Sequence, residues 1–336
     1  MSNAITGSLP ALPEIQQRAI RRGTRLAWWT LGYLAVDTVI LFLIKGNSQA
    51  MQAAWIQDLL GMVPPLAFLI GMRVARRRAT RDHPYGFAQS MDIAHLVAGA
   101  ALMGFGSFLF FESTMTLVRG ERPGIGLFSL FGHDIWQGWI MIAFMFITLF
   151  PPLVLGRLKM KPAKLLHNKA LYADAQMNKA DWMAGVASIV GITGIGLGFW
   201  WADAAAAIII SLDILHDGYQ NLRGSLTSMV EATPKSLGTS DPHPVPGLVN
   251  ARLAKLPWVR EVGNRTREEG QYFHVDAFVV PHRPEETTAE DLIAAREVCR
   301  ELHWKINDVS IIPVRKLSPL LRVDTAEPED AEHRAS

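Results

Sequence analysis

Six stretches of this chain are apolar over about the 20 residues that a bilayer core demands, and runs of that kind fold as membrane-crossing helices. Apolar continuity places them at about 25–45, 51–74, 90–117, 132–155, 180–200 and 202–222. Tryptophan, which settles at membrane interfaces, marks several of their ends: Trp28, Trp29, Trp55, Trp136, Trp139, Trp200 and Trp201. Pro64-Pro65 in the second stretch and Pro151-Pro152 in the fourth remove backbone donors, so a kink or helix end is expected at each. The apolar residues thin out in the last third, which reads as ordinary globular sequence. A membrane domain followed by a water-soluble one is therefore expected.

Basic residues set the orientation. Arg18, Arg21, Arg22 and Arg25 precede the first stretch, Arg73, Arg76, Arg77, Arg78 and Arg81 follow the second, and Arg157, Lys159, Lys161, Lys164 and Lys169 follow the fourth. The alternate connections hold Lys45, then Arg119 and Arg122, then no basic residue in Trp201-Ala202-Asp203. The positive-inside rule places the N-terminus, both basic loops and the C-terminal third in the cytosol, and an even number of crossings agrees. No cleavage pattern follows the basic N-terminal segment, so the first stretch is expected to remain as an anchor in an inner or plasma membrane. The formal net charge of +2 gives no reason to expect nucleic acid. Cys299 is the only cysteine, which excludes an intrachain disulfide framework and fits a reducing cytosol.

The expected domains are a cytosolic N-terminal segment (1–24), a six-helix membrane domain (25–225), a linker (226–246), a cytosolic α+β domain (247–318) and a disordered acidic tail (319–336). In the α+β domain a helix is expected around Leu248–Lys255. A hairpin of Val259–Arg267 with Tyr272–Val280 follows, turning at Glu268-Glu269-Gly270. Thr287-Thr288-Ala289-Glu290 reads as a capping box opening a helix to about Lys305, and Val309–Val314 reads as a closing strand. This α-β-β-α-β order suggests a small ferredoxin-like sandwich. In the membrane domain the small residues Ala187, Gly191, Gly194 and Gly198, followed by Ala204 to Ala207, favour a tight pairing of the last two helices.

Chemistry concentrates in Ala173-Asp174-Ala175-Gln176-Met177-Asn178-Lys179-Ala180-Asp181. Residues three and four apart share a helix face, so Asp174, Met177, Asn178 and Asp181 form one stripe. Ionisable groups at membrane depth face a bundle interior, a cavity or an ion path. A headgroup-level cap is the other reading for Asp174 and Lys179. Asp37, Asp58 and Asp213 are further candidates by depth, either as site residues or as packing partners for Lys179 or an arginine. Glu112, His216 and Asp217 stand near expected helix ends and read as solvated. No phosphate loop, nucleophile motif or metalloprotease helix suggests an enzyme.

Six crossings, cytosolic ends and this C-terminal domain, with Asp82-His83-Pro84-Tyr85-Gly86-Phe87 after the second stretch, Glu112-Ser113 late in the third and Ala173-Asp174 seven residues before Asp181, resemble the cation diffusion facilitator (cation efflux) family over about residues 25–318. The resemblance implies a homodimeric transporter that exports divalent metals such as zinc from the cytosol in exchange for protons, by alternating access. It needs no permanent cofactor. Its metal site pairs His/Asp-x-x-x-Asp on the second crossing with the same pattern on the fifth, giving the four ligands of a tetrahedral ion. Here those positions carry Gln57 and Gly61, Met177 and Asp181, and only Asp181 is a usual ligand. Three readings follow. Asp58 takes part opposite Asp174 or Asp181; Met177 directs the site to a soft cation such as copper(I); or transport is lost and a membrane-anchored dimerising partner or regulator remains. In the first, Asp181 and Asp58 bind the cation from the cytosolic side, the bundle rocks, and protons displace it.

The resemblance also implies accessory sites. Asp82 and His83 hold the loop position, with Asp92 and His95 downstream, against the plainer reading of His83 as a turn residue beside proline. In the soluble domain His243, His274 and His282 are the candidates, although the closing strand has Ile311-Ile312 where relatives often carry a ligating His. Dimerisation is the expected role of that domain. Cys299 reads as a buried, inert thiol.

Overall fold

A computed structural model describes residues 13–44, 55, 58–120, 127–130, 133–238 and 241–321. Gln57 and residues 322–336 of the expected tail lie outside the described residues, whereas Pro319–Leu321, also assigned to the disordered tail, form a short helical turn. The described residues group into two compact units, one drawn from Arg18–Arg73 and Met91–Leu226, the other from Met1–Gln17, Val74–Ser90 and Thr227–Ser336.

The first unit is a helical bundle. It contains most of α1 (Glu14–Ile44), then a helical segment at 58–61 that turns at Met62 into α2 (Val63–Ala75), and α3 (Ser90–Arg119). A two-stranded antiparallel hairpin follows, β1 (Leu127–Leu130) with β2 (His133–Trp136), and then α4 (Gln137–Leu166), α5 (Lys169–Gly196) and α6 (Ala202–Met229). Asp58–Ala75 and Ser90–Arg119 are long and apolar enough to cross a membrane. The break at Met62 stands just ahead of Pro64-Pro65, whereas α4 continues through Pro151 and Pro152.

The join between α4 and α5 shows why the fifth helix starts at Lys169 rather than near 180. His167 takes a left-handed conformation (φ 49°), and Asn168 N–H reaches back to Ala163 O at 3.0 Å, a Schellman-type stop. Asn168 then caps the next helix, its Oδ1 accepting from Leu171 N at 2.9 Å. The Asp174–Asp181 stripe therefore lies well inside α5.

Leu102 and Phe105 of α3, Met177, Ala180 and Ala184 of α5, and Ile214 of α6 form the bundle's apolar centre. Glycine lets α3 and α6 approach closely: a Cβ on Gly106 would lie 3.1 Å from Leu215 N, and one on Gly218 would lie 2.8 Å from Met103 N. The expected Gly194/Gly198 contact is different in kind. A Cβ on Gly194 would meet Ala202 across the short turn, while Gly198 sits in that turn at φ +96° with nothing among the described residues within 4 Å of a Cβ. Asn221 ties three helices: its Nδ2 donates to Gln176 Oε1 at 2.6 Å, and its Oδ1 lies 3.1 Å from His95 Nε2.

The second unit has the α-β-β-α-β order: α7 (Val245–Leu253), β3 (Val259–Glu269), β4 (Tyr272–Pro281), α8 (Ala289–Arg300) and β5 (Ile306–Pro313). The sheet order is β3-β4-β5. The first pair is antiparallel across a turn with Gly270 at φ +65°, and β5 runs parallel to β4 after the α8 crossover. Phe273, Val275, Ala277 and Val279 alternate onto a core with Val249, Leu253, Ala295, Cys299 and Val309. The capping box differs by one residue from the expected one. Thr288 is the N-cap, its side chain accepting from Asp291 N at 3.2 Å while Asp291 accepts from Thr288 N at 3.0 Å, and α8 stops at Arg300. Burial pushes the Cys299 thiol up to about 11, so it is not a nucleophile at neutral pH.

Candidate cation site

The stripe on α5 divides into parts with different partners. Asp174 is fully buried and ion-paired with Lys159 of α4, the ammonium lying 2.9 Å from Oδ1 and 2.8 Å from Oδ2. Asn178 turns its amide back to Asp174 O at 2.8 Å. Met177, 1% exposed, packs into the apolar centre beside Leu102 and Phe105. Lys179 points to α6, 3.1 Å from Asp213 Oδ2 and 3.4 Å from Asp217 Oδ2.

Asp181 faces elsewhere. A Cβ added to Gly61 would lie 3.8 Å from Asp181 Oδ2 and 3.6 Å from Leu34 Cδ1, so the segment before α2 passes directly over this carboxylate. Asp58 stands three residues before Gly61, nearly one helical turn. Its Oδ2 is enclosed and has no hydrogen-bond partner among the described residues. Asp37 of α1 and Asp181 of α5 both act electrostatically on Asp58. Tyr33, on the same side of α1, senses all three carboxylates and donates to Thr148 O at 3.0 Å. Carboxylates from three segments thus lie within electrostatic range of one another, with Asp181 beside Gly61. Asp37 was legible as a candidate by depth; Tyr33 and Lys159 gave no signal that periodicity can read.

The other candidate positions have plainer surroundings. Asp82 is exposed, and His83 closes a turn with Thr80, its N–H donating to Thr80 Oγ1 at 3.1 Å, while its ring packs on Phe87. Asp92 and His95 are buried in the bundle, where Ser225 Oγ donates to Asp92 O and His95 meets Asn221. In the second unit His243 packs on Phe273, whereas His274, the next residue along β4, projects to the opposite face. There His274 Nε2 lies 3.3 Å from Asp276 Oδ1, but Arg265 holds Asp276 and Arg296 holds Asp308, each at 2.8 Å. His282 is exposed. Among the described residues no group of three or more His, Cys, Asp or Glu is spaced to hold a metal ion.

His243 has an aromatic neighbour that was not among the candidates, His303, at a ring separation of 5.7 Å. Each Nδ1 accepts a backbone N–H, from Val245 and Lys305 respectively, which places the protons on Nε2 and favours a packing role. Burial, reinforced by the Lys305 ammonium, brings His303 down to about 4. An unfolded imidazole takes up its proton near 6.5, so this residue's contribution is complete above about pH 6.5 and is lost as pH falls toward 4. The ring is only partly buried, and solvent screening limits the loss to about 1 kcal/mol. Melts of the full chain at about pH 7 and about pH 5, read by proteolysis of the C-terminal segment, should show lower stability at the acid pH. His303→Gln should narrow that difference.

Residues 27–230 match the sequence model of the cation efflux transmembrane domain. The chain belongs to the cation efflux family, whose members are membrane-embedded metal transporters. It is 25% identical over 279 residues to the manganese efflux system protein MneP of Bacillus subtilis (strain 168), covering 80% of this chain and 86% of that protein. Manganese efflux system protein MneS of the same organism is 24% identical over 199 residues, 59% of this chain and 63% of MneS. A cadmium, cobalt and zinc/H(+)-K(+) antiporter, also from that organism, is 24% identical over 211 residues, 62% of this chain and 63% of the antiporter. The chain thus spans less than two thirds of the length of MneS and of the antiporter.

Proposed function

We propose that this cation efflux protein carries a divalent metal ion out of the cytosol in exchange for protons, by alternating access. The observation behind this reading is Asp181 facing Gly61 within electrostatic range of Asp58, whose Oδ2 is enclosed and has no partner among the described residues, with Asp37 acting on Asp58 as well. Six helical crossings, cytoplasmic ends and a homodimer joined through the ferredoxin-like α-β-β-α-β domain complete the proposal. The charge distribution of the loops and the element order of the second unit support it.

Asp181 and Asp58 serve as the principal ligands; the three carboxylates are not spaced around one ion as they stand, so the cargo draws Asp58 and Asp181 together, with Asp37 beside Asp58. Carboxylates suit hard ions such as Mn²⁺ better than soft ones. Met177 is packed among apolar side chains and Asp174 is paired with Lys159, so neither is needed as a ligand. The cation enters from the cytosolic side onto deprotonated carboxylates, the bundle rocks, and protons from the far side displace it. Manganese bears the names of two relatives and is the first ion to test.

The test is uptake of Mn²⁺ into proteoliposomes that hold the full chain and an acidic lumen. The expected result is uptake above that of protein-free vesicles, abolished when nigericin dissipates the proton gradient. Absence of flux with Mn²⁺, Zn²⁺, Co²⁺ and Cd²⁺ alike would leave the non-transporting, dimerising membrane partner as the better reading.

A further inference from the structure

The start of α1 is strongly basic, and its packing decides which way that charge looks. Ala19, Gly23, Ala27, Thr30 and Leu34 recur every three or four residues and are all buried. This stripe faces the bundle: a Cβ on Gly23 would lie 2.8 Å from Leu171 Cδ2 of α5 and 3.8 Å from Phe68 Cζ of α2. Arg18, Arg21, Arg25, Trp28 and Gly32 recur in the same rhythm on the opposite face, and all five are exposed. Arg22 and Trp29 flank them and are exposed as well. No acidic residue interrupts α1 between Ile15 and Val36. The helix is 31 residues long, about 46 Å, whereas a bilayer core is about 30 Å thick, so part of it stands in the headgroup layer. Trp28 and Trp29, 62% and 67% exposed, mark that level, about one turn beyond Arg25. Past them the outward face turns apolar, with Val36 and Val39 exposed.

We propose that this outward face of α1 binds an anionic phospholipid. The guanidinium groups of Arg21 and Arg25, with Arg18 one turn further out, grip the phosphate, which matches their planar fork of donors. The indoles stand at the level of the glycerol backbone. The acyl chains run along Gly32 and Val36, where the missing side chain leaves a notch: nothing among the described residues lies within 4 Å of a Cβ on Gly32. A zwitterionic headgroup offers the same phosphate with its charge cancelled, so the arginines select for net negative charge. The site needs only a membrane-embedded protein and stands apart from which ion, if any, is carried.

The test is native mass spectrometry of the full chain in nonionic detergent, titrated with dioleoyl phosphatidylglycerol or with dioleoyl phosphatidylcholine. Wild type should hold phosphatidylglycerol about tenfold more tightly, and inorganic phosphate should not displace it. Arg21→Gln/Arg25→Gln changes two exposed residues, so it should melt as wild type does and bring the two lipids to within about threefold. Arg77→Gln/Arg78→Gln removes the same charge from exposed positions after α2 and should leave the preference in place. Equal loss in both variants would reduce the preference to general positive charge and overturn the proposal. Wild type that holds the two lipids alike, or that releases phosphatidylglycerol to inorganic phosphate, would overturn it too. A dimer that dissociates in Arg21→Gln/Arg25→Gln with lipid binding unchanged would give this face to a second copy of the chain instead.

Discussion

Asp181→Ala is expected to lower manganese flux by about a hundredfold or more at matched protein density, since losing a group that merely supports a metal ligand already costs about 10–100-fold. The carboxylate is the one member of the α5 stripe that faces Gly61 and shares electrostatic contact with Asp58. Its removal leaves the Lys159–Asp174 pair and the Asn221 ties intact, so the bundle should still assemble. Asp181→Asn, of nearly the same shape, should fail as badly, which separates loss of charge from loss of packing. Met177→Leu is the matching control. It conserves volume in an apolar cluster, which usually costs less than about 1.5 kcal/mol, and flux should persist. Flux sustained by Asp181→Ala would remove Asp181 from the mechanism.

The largest effect on assembly is expected from Gly218→Leu. The first carbon of the new side chain would lie 2.8 Å from Met103 N and 2.9 Å from its Cα, both backbone atoms that no rotamer change can move. Relief requires α6 to withdraw from α3, which also opens the contact at Gly106 and pulls Asn221 from His95. Overpacking on this scale costs about 4 kcal/mol or more, close to the whole stability of many domains. Gly218→Leu should therefore yield little monodisperse protein, and Gly218→Ala should melt at a lower temperature than wild type. Gly104→Leu on the facing helix α3 is the control, because nothing among the described residues lies within 4 Å of a Cβ there. Wild-type melting of Gly218→Leu would contradict the close approach.

Much of the scaffold was legible because it follows from local rules. Apolar continuity located the long helices, and alternation along β4 located the soluble core, since both depend on neighbours in the chain. The misplaced features are those decided by distant partners or by backbone conformation. Apolar continuity started the fifth helix near 180 because Asp174 looked like an entrance residue; Lys159, from a different helix, encloses it. Thr287 with Glu290 and Thr288 with Asp291 both satisfy the capping pattern, and the extended backbone of Thr288 selects the second. Gly194 and Gly198 have the spacing of a helix contact, yet the turn uses Gly198 for its positive φ.

The site divides the same way. The resemblance paired the Gly61 position with Asp181, and a Cβ on Gly61 would indeed lie 3.8 Å from Asp181 Oδ2. The separate fates of Asp174 and Met177 were not legible, because the same stripe of α5 borders α4, an apolar centre and the segment before α2 in turn.

Binding of Mn²⁺ by the purified full chain tests the central claim most directly, read from the loss of the free-ion signal in electron paramagnetic resonance. The account predicts saturable binding in wild type that is lost in both Asp58→Asn and Asp181→Asn and retained in Met177→Leu. Binding that survives in either carboxylate variant, or that fails in wild type, would contradict it.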